Sequence, residues 1–437
     1  MTIFGVRGVI LNTNRGRRAI VESVFVACVL SIHLVLVPTW SVADDSPNID
    51  ASPEKNFGED VLFLKKHAPT IVLQSADGGA QVAIVPAYQG RVMTSSASGS
   101  SGTSFGWINY EHITSGKIAP QINVYGGEER FWLGPEGGQF SIFFQPGAKF
   151  EFADWATPAL IDTEPFDVAS QDDRSVAFRK LATLTNYSKT VFQLSIERRI
   201  ELIDATNARN SLQLDVASDG VRLVGYRTSN KLTNTGNKAW TKETGLLSIW
   251  LLGMYKPGPA TTVVIPYRHN KDFAESSAVV NDTYFGKVPA ERLKVSQGHI
   301  FFSGDGTFRS KIGVPPRVAT DVCGSYDAAR KVLTIVKFNQ PERGVTDYVN
   351  SMWELQDRPF AGDVVNAYND GAPTPGGKPL GPFYELETSS PALALGPSQS
   401  AEHIQETYHF EGDIEQLDVI SKKVLGVSLQ TIEQSLK

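Results

Sequence analysis

Thr190-Val191-Phe192-Gln193-Leu194-Ser195-Ile196-Glu197-Arg198 alternates apolar and polar side chains, which puts Phe192, Leu194 and Ile196 on one side of an extended chain. That period predicts a strand with one face in a core. The same grammar, a short alternating run and then a turn, recurs at 141–145, 176–184, 191–202, 212–216 and 221–232. Asn234-Thr235-Gly236 turns the chain toward 245–254, an almost wholly apolar run containing Trp250 that reads as a strand buried on both faces. Upstream, Asp77-Gly78-Gly79 separates two short apolar runs as a hairpin would. Downstream, 299–303, Gly304-Asp305-Gly306 and 307–312 read as another hairpin, with Arg309 and Lys311 on one face. The Ser/Gly/Thr/Ala run at 94–103 reads as a mobile surface loop.

Helical signals are few. Residues 60–66 suit a short helix or strand, and Val345, Tyr348, Val349, Met352 and Trp353 follow helical spacing. The segment from Asp413, a capping residue, to Lys437 predicts a short helical C-terminus. Many short strands with few helices indicate a mainly β fold, a large antiparallel sandwich. No linker interrupts 60–437 and no fixed-period repeat occurs, so that span reads as a single domain.

Composition narrows the function classes. The 437 residues carry a net charge of -6 with no basic cluster beyond the first residues, which argues against nucleic-acid binding. Arg15, Arg17 and Arg18 precede an apolar run from Ala19 to about Val37, followed by Ser41-Val42-Ala43; the pattern is a secretory signal peptide over 1–43. Cleavage after Ala43 removes four basic and one acidic side chain and takes the net charge from -6 to -9. Lipidation at Cys28, twin-arginine export through Arg17-Arg18 and an uncleaved membrane anchor are the competing readings of the leader. The expectation is an exported, periplasmic or secreted protein with no stable membrane insertion once the signal is removed. Residues 44–59 are polar and Pro-containing and read as a disordered spacer. Cys323 is the single cysteine after Ala43, so neither an internal disulfide nor a cysteine-rich metal site is expected.

Three stretches can carry chemistry. Gly126-Gly127-Glu128-Glu129-Arg130-Phe131-Trp132-Leu133-Gly134-Pro135-Glu136-Gly137-Gly138-Gln139 combines an arginine fork, aromatic faces and carboxylates between glycine turns. That set suits a polyhydroxylated ligand with polar edges and apolar C–H faces; a core strand with solvated charges is the plainer alternative. Gly381-Pro382-Phe383-Tyr384-Glu385-Leu386-Glu387, read as a strand, puts Glu385 and Glu387 on one face about 7 Å apart. Screened from water, such a pair raises one carboxyl pKa for general acid or base work; on a solvent face both are ordinary. Asn366, Tyr368, Asn369 and Asp370 crowd donors and acceptors just before a Gly/Pro-rich loop, as a ligand-facing loop would or as a routine turn would. Asp363 and Asp370 match no EF-hand spacing, so no metal is expected. The histidines, including His269, His403 and His409, form no ligand or catalytic pair, and no P-loop, dinucleotide fingerprint or Gly-x-Ser-x-Gly elbow occurs. No cofactor is expected.

Gly126-Gly127 with Arg130, Trp132 and Pro135-Glu136 resembles a signature of aldose 1-epimerase-like (galactose mutarotase-like) proteins. So do Leu232–Gly236 with Trp240, and Glu385-Leu386-Glu387 with 395–400 and Tyr408; with the 365–371 run, the pattern is similar to an uncharacterised family of exported bacterial proteins of that fold. The resemblance implies a large antiparallel β-supersandwich whose concave sheet face holds a carbohydrate. It implies a catalytic glutamate at Glu385 or Glu387; joined to the residue readings above, the expected ligand contacts are Arg130, Trp132, Glu136, Arg309, Lys311, Asn366, Tyr368, Asn369 and Asp370. True epimerases also use a histidine acid, and no histidine here falls in that motif. Lyases, hydrolases and non-catalytic binders share the fold, so the expectation is an epimerase, lyase or glycoside-processing enzyme, with a glycan-binding or envelope protein as the alternative. Arg130 and Arg309 are also suited to a sugar carboxylate.

Overall fold

In the computed structural model, the described residues are 54–214, 220–268, 279–339 and 344–437. The leader, residues 44–53 of the expected spacer, His269 and the end of the 212–216 run lie outside them. Among the described residues no helix is long and apolar enough to cross a membrane.

The chain starts with α1 (Phe57–His67), capped by Asn56 and Glu59 in a reciprocal capping box. The helix therefore begins within the segment expected to be a spacer, and Glu54 pairs with Arg330 at 2.6 Å. Strands β1 (Ile71–Gln74), β2 (Gln81–Val85) and β3 (Arg91–Ser96) form a small antiparallel sheet. After α2 (Tyr110–Ser115) come β4 (Arg130–Gly134), β5 (Asp167–Gln171), β6 (Ser175–Thr185) and β7 (Val191–Ile203). Helix α3 (Ala205–Leu212) leads to β8 (Val221–Asn234), β9 (Ser248–Tyr255) and β10 (Thr261–Pro266). Then follow β11 (Leu293–Ser296), β12 (His299–Ser303), β13 (Ser310–Val314), β14 (Val322–Asp327) and β15 (Val332–Phe338). The chain closes with β16 (Val365–Asn369), β17 (Tyr384–Ser389), β18 (Ser400–Gly412), α4 (Ile414–Val424) and α5 (Leu429–Gln434).

Two antiparallel sheets make the supersandwich. Ten strands run in the order β11-β12-β10-β14-β15-β18-β8-β7-β6-β5, and five in the order β13-β16-β17-β9-β4. Phe192, Leu194 and Ile196 of the opening stretch are fully buried, while Val191 and Gln193 are exposed. One large apolar cluster joins them to Phe131, Leu133, Ile249 and Leu251 of the smaller sheet. The interior is not wholly apolar. Central β18 turns His403, Gln405 and His409 inward, where Thr388 binds Gln405 at 2.7 Å, Gln405 binds Glu129 at 2.7 Å and His409 meets Glu128 at 3.0 Å. Glu129 is in turn 2.8 Å from Arg198. Buried polar groups persist when each finds a partner, and here the partners come from both sheets. Outside the larger sheet, α4 and α5 cover Tyr408 and Phe410 with Leu417, Ile420, Leu429 and Ile432.

Several local expectations change. The 94–103 run is not a surface loop at its start: Thr94, Ser95 and Ser96 lie buried in β3, and the Ser95 hydroxyl donates to Glu128 at 2.8 Å. Strands β12 and β13 are not a hairpin, because they belong to different sheets and the chain crosses between them at Gly304–Arg309. Residues 345–353 are not helical. Their N–H groups bond across to Phe360 and Pro359, and the Asn350 side chain accepts from Met352 N at 3.0 Å, so the loop closes on itself. Residues 141–145 form only an isolated bridge, Phe144 to Trp155, and Leu212 ends a helix rather than starting a strand. Gly126 and Gly127 take φ of 90° and 111°, and a Cβ on Gly126 would sit 2.2 Å from the Trp107 carbonyl oxygen. The glycine pair is thus required by a close backbone approach.

Candidate functional site

The five-stranded sheet has one face against the larger sheet and the other under loops. Antiparallel pairing sets which residues share that outer face. Glu385 lies opposite Tyr368 and Met254, Glu387 opposite Asn366 and Leu252, Lys311 opposite Tyr368, and Arg130 opposite Leu252. Because side chains alternate, Arg130, Trp132, Trp250, Lys311, Asn366, Tyr368, Glu385 and Glu387 all project from one face, with Arg309 and Asp370 continuing it beyond the strand ends. All five strands of the sheet thereby converge on one patch.

The patch is built from paired opposites. Arg130 Nη2 donates to Glu385 Oε1 at 2.8 Å, with both side chains nearly buried. Lys311 Nζ and Trp250 Nε1 each donate to Glu387 Oε2 at 2.9 Å, while Glu387 Oε1 is buried without a partner. Tyr368 donates its hydroxyl proton to Asp370 Oδ1 at 2.6 Å, and the Gly381 N–H reaches Asp370 Oδ2 at 2.8 Å. Burial pushes Glu385 up to about 7, with the Glu387 charge adding to the rise and Arg130 opposing it. Burial also raises Glu136 and Asp370. Lys311 is held above the usual lysine range: burial opposes its charge, and the carboxylates of Glu387 and Glu136 outweigh burial. Glu385 keeps 6% side-chain exposure, whereas Glu387 has none.

Above the patch opens a cavity of about 460 Å³. Glu136, Arg309, Lys311, Asp370 and Lys378 supply its charges, and Phe152, Tyr284, Phe285 and Trp353 its aromatic surface. Its size and mixed lining suit a small polar ligand with apolar faces. Loops decide the walls: residues 344–364 bring Met352 and Trp353, and the stretch before Val288 brings Tyr284 and Phe285. Tyr284 donates to Asp363 Oδ2 at 2.6 Å, and burial pushes Asp363 up to about 6. Among the described residues no group of three or more His, Cys, Asp or Glu side chains is arranged to hold a metal ion.

Not every candidate residue reaches the cavity. Trp132 is packed edge-on to Trp250 and against Phe143, with the Arg130 guanidinium 4.1 Å over its ring, so it supports the patch from the side. Asn369 points to the opposite face and is fully buried; its amide holds the crossing loop through Phe308 O at 3.0 Å and Gly306 N at 2.8 Å. Asn366 is committed to Ile312 O at 3.1 Å and lies 3.4 Å from the Tyr284 hydroxyl. Glu385 and Glu387 lie below the cavity floor rather than in its walls. Tyr284, Phe285, Phe152, Trp353, Trp250 and Asp363 were not singled out as ligand contacts from the sequence. Three of them carried a signal there: Trp250 within an apolar run, Trp353 in a helical spacing, and Asp363 as a metal ligand weighed and set aside. Tyr284-Phe285, an aromatic pair following the polar Asn281-Asp282-Thr283, is the mark that could have found the rest.

Residues 55–436 match the model of a family described as one of unknown function (DUF6786). The comparison with curated proteins returned no match. Among solved structures, the chain is similar to a Synechocystis protein at TM-score 0.46 and 13% identity, covering 79% of this chain and 96% of that one. A putative aldose 1-epimerase of Escherichia coli is similar at TM-score 0.44 and 11% identity, over 79% and 99% of the two chains. A galactose mutarotase-like protein of Lactobacillus casei is similar at TM-score 0.42 and 10% identity, over 78% and 100%. These likenesses are in outline, and the chemistry has to come from this chain's own side chains.

Proposed function

The chain belongs to the DUF6786 family of unknown function, and we propose that it binds a carbohydrate in the cavity over the five-stranded sheet and acts on it by proton transfer through Glu385. The observation that carries this reading is the state of Glu385: a carboxyl just below the cavity floor, ion-paired to Arg130, crowded by Glu387 and pushed to about 7. A group titrating near neutrality can both take and give a proton at a sugar carbon or oxygen. Glu387, locked between Lys311 and Trp250 and closed to solvent, acts on Glu385 by charge and position. Aromatic faces at Phe152, Phe285 and Trp353 suit the apolar C–H faces of a sugar ring, with Glu136, Lys311 and Asp370 at its hydroxyls. Reaction class within the epimerase, lyase and glycoside-processing group follows from the product. Export to the periplasm or beyond is part of the proposal and rests on the leader pattern alone.

One observation favours a second reading, a non-catalytic glycan binder: both glutamates are already paired, and neither lines the cavity wall. A screen of the chain from Asp44 onward against a glycan array and simple aldoses, following binding and product formation together, separates the two. On the enzymatic reading Glu385→Gln lowers turnover at least a thousandfold while binding changes less than threefold. Full turnover by that variant ends the assignment of Glu385, and binding without any product supports the second reading.

A further inference from the structure

Five charged side chains line the cavity; three of them are engaged within it, and a fourth, Lys378, stands in solvent. Lys311 is paired with Glu387, Glu136 is bonded by Trp353 and faces Lys311, Asp370 is bonded by Tyr368 and Gly381, and Lys378 lies 3.8 Å from Glu111 at the surface. Arg309 differs. Among the described residues its guanidinium makes no ion pair and donates no hydrogen bond; it lies 4.0 Å over the ring of Phe285. A guanidinium held over an aromatic face keeps its N–H donors available to an acceptor. Arg309 precedes Lys311 by two residues and shares its face, so the fork stands beside the same cavity whose floor holds Lys311. The other arginine of this face, Arg130, is already committed to Glu385.

Resting on the carbohydrate reading above, we propose that the ligand is an acidic sugar carrying a singly charged oxyanion, a carboxylate or a sulfate ester, and that Arg309 receives it. The planar fork matches two oxygens of such a group. The count of charge sets the limit to one. Asp370 lies within the field of Arg309, and Glu136 stands in the same wall, so a doubly charged phosphate would meet two carboxylates with Arg309 as the one unpaired cation shielded from solvent screening beside them, Lys378 standing exposed at the rim. A neutral sugar would leave the Arg309 guanidinium without an anionic acceptor.

Calorimetric titration with glucose, glucuronate, glucose 6-sulfate and glucose 6-phosphate, and with oligogalacturonate and its methyl ester, tests this on the wild type, Arg309→Gln and Arg309→Lys. Arg309 lies at the cavity edge, and circular dichroism of each variant verifies the fold. The expected result is at least tenfold tighter binding of the singly charged ligands than of their neutral counterparts. Arg309→Gln closes that gap, and Arg309→Lys restores part of it. Equal affinity for charged and neutral partners, or a preference that survives Arg309→Gln, overturns the proposal while leaving the carbohydrate reading intact. A preference for phosphate over both monoanions overturns the single-charge argument. Failure of every sugar to bind overturns the carbohydrate reading on which the proposal stands.

Discussion

Glu387 and Lys311 illustrate how little a charged side chain's identity says until its neighbours are known. Each is buried, and each is tolerable because the other is 2.9 Å away. Removing one partner strands the other, which typically costs about 3–5 kcal/mol. Lys311→Met is therefore expected to lower the unfolding free energy measured by urea titration by that amount, and adding Glu387→Gln to recover a large part of it. Additive losses in the double variant would mean that the pair does not act as a unit. Asp363 gives a second residue-scale test. Its folded value of about 6 lies above an ordinary aspartate near 4, so the fold prefers its protonated form. The sign follows: its stabilising contribution is full below about pH 4 and is lost as pH rises through 6. Between pH 4 and 7.5 the wild type is expected to lose on the order of 3 kcal/mol that Asp363→Asn does not lose. Parallel stability-against-pH curves for the two proteins would refute this. Glu385, also raised, acts in the same direction in both proteins and cancels from the comparison.

At the scale of elements, the site depends on loops that cross bare backbone. Gly137 follows β4 and Glu136, and a Cβ there would sit 2.2 Å from the Met352 carbonyl oxygen. The loop of residues 344–364, which brings Met352 and Trp353 to the cavity, is seated on that glycine. Gly137→Ala forces backbone against backbone, at a cost of about 1–3 kcal/mol. The expected outcome is a shifted tryptophan emission and at least tenfold weaker ligand binding with the far-UV spectrum unchanged. An unchanged affinity would show that the loop is not a wall of the site. Elements with few long-range demands were readable from sequence: β6, β7 and β8 from their alternation, and α4 from its Asp413 cap. The pseudo-helical 345–353 run misled because helical spacing in a short apolar stretch also fits a loop that pins several side chains in a core.

For the whole molecule, α4 and α5 complete the fold from outside the sandwich. Leu417, Ile420, Leu429 and Ile432 are buried against the outer face of the larger sheet, each worth about 1.5–3 kcal/mol of burial. Their sum rivals the total stability of an ordinary domain, about 5–15 kcal/mol. A chain ending at Asp413 is expected to aggregate or to bind a hydrophobic dye strongly, with Tyr408 and Phe410 uncovered. A soluble monomer with native near-UV dichroism would show that the sandwich stands without them.

The amino-acid sequence by itself determined the sides. Alternation alone put Glu385 with Glu387, and Arg309 with Lys311, and set Tyr384 and Leu386 on the other face, because the two-residue period of a strand is a local property of the backbone. Only the tertiary structure decided the partners. Arg130 meets Glu385 across 255 residues and Lys311 meets Glu387 across 76, through strand order that no local pattern encodes. It decided as well that Trp132 props the patch from the side, that Asn369 faces inward, and that Thr94, Ser95 and the β18 histidines are interior. Whether a charge is a solvated ornament or a titrating group near neutrality depends on what excludes water from it. In this fold that is settled by loops and strands distant in the chain.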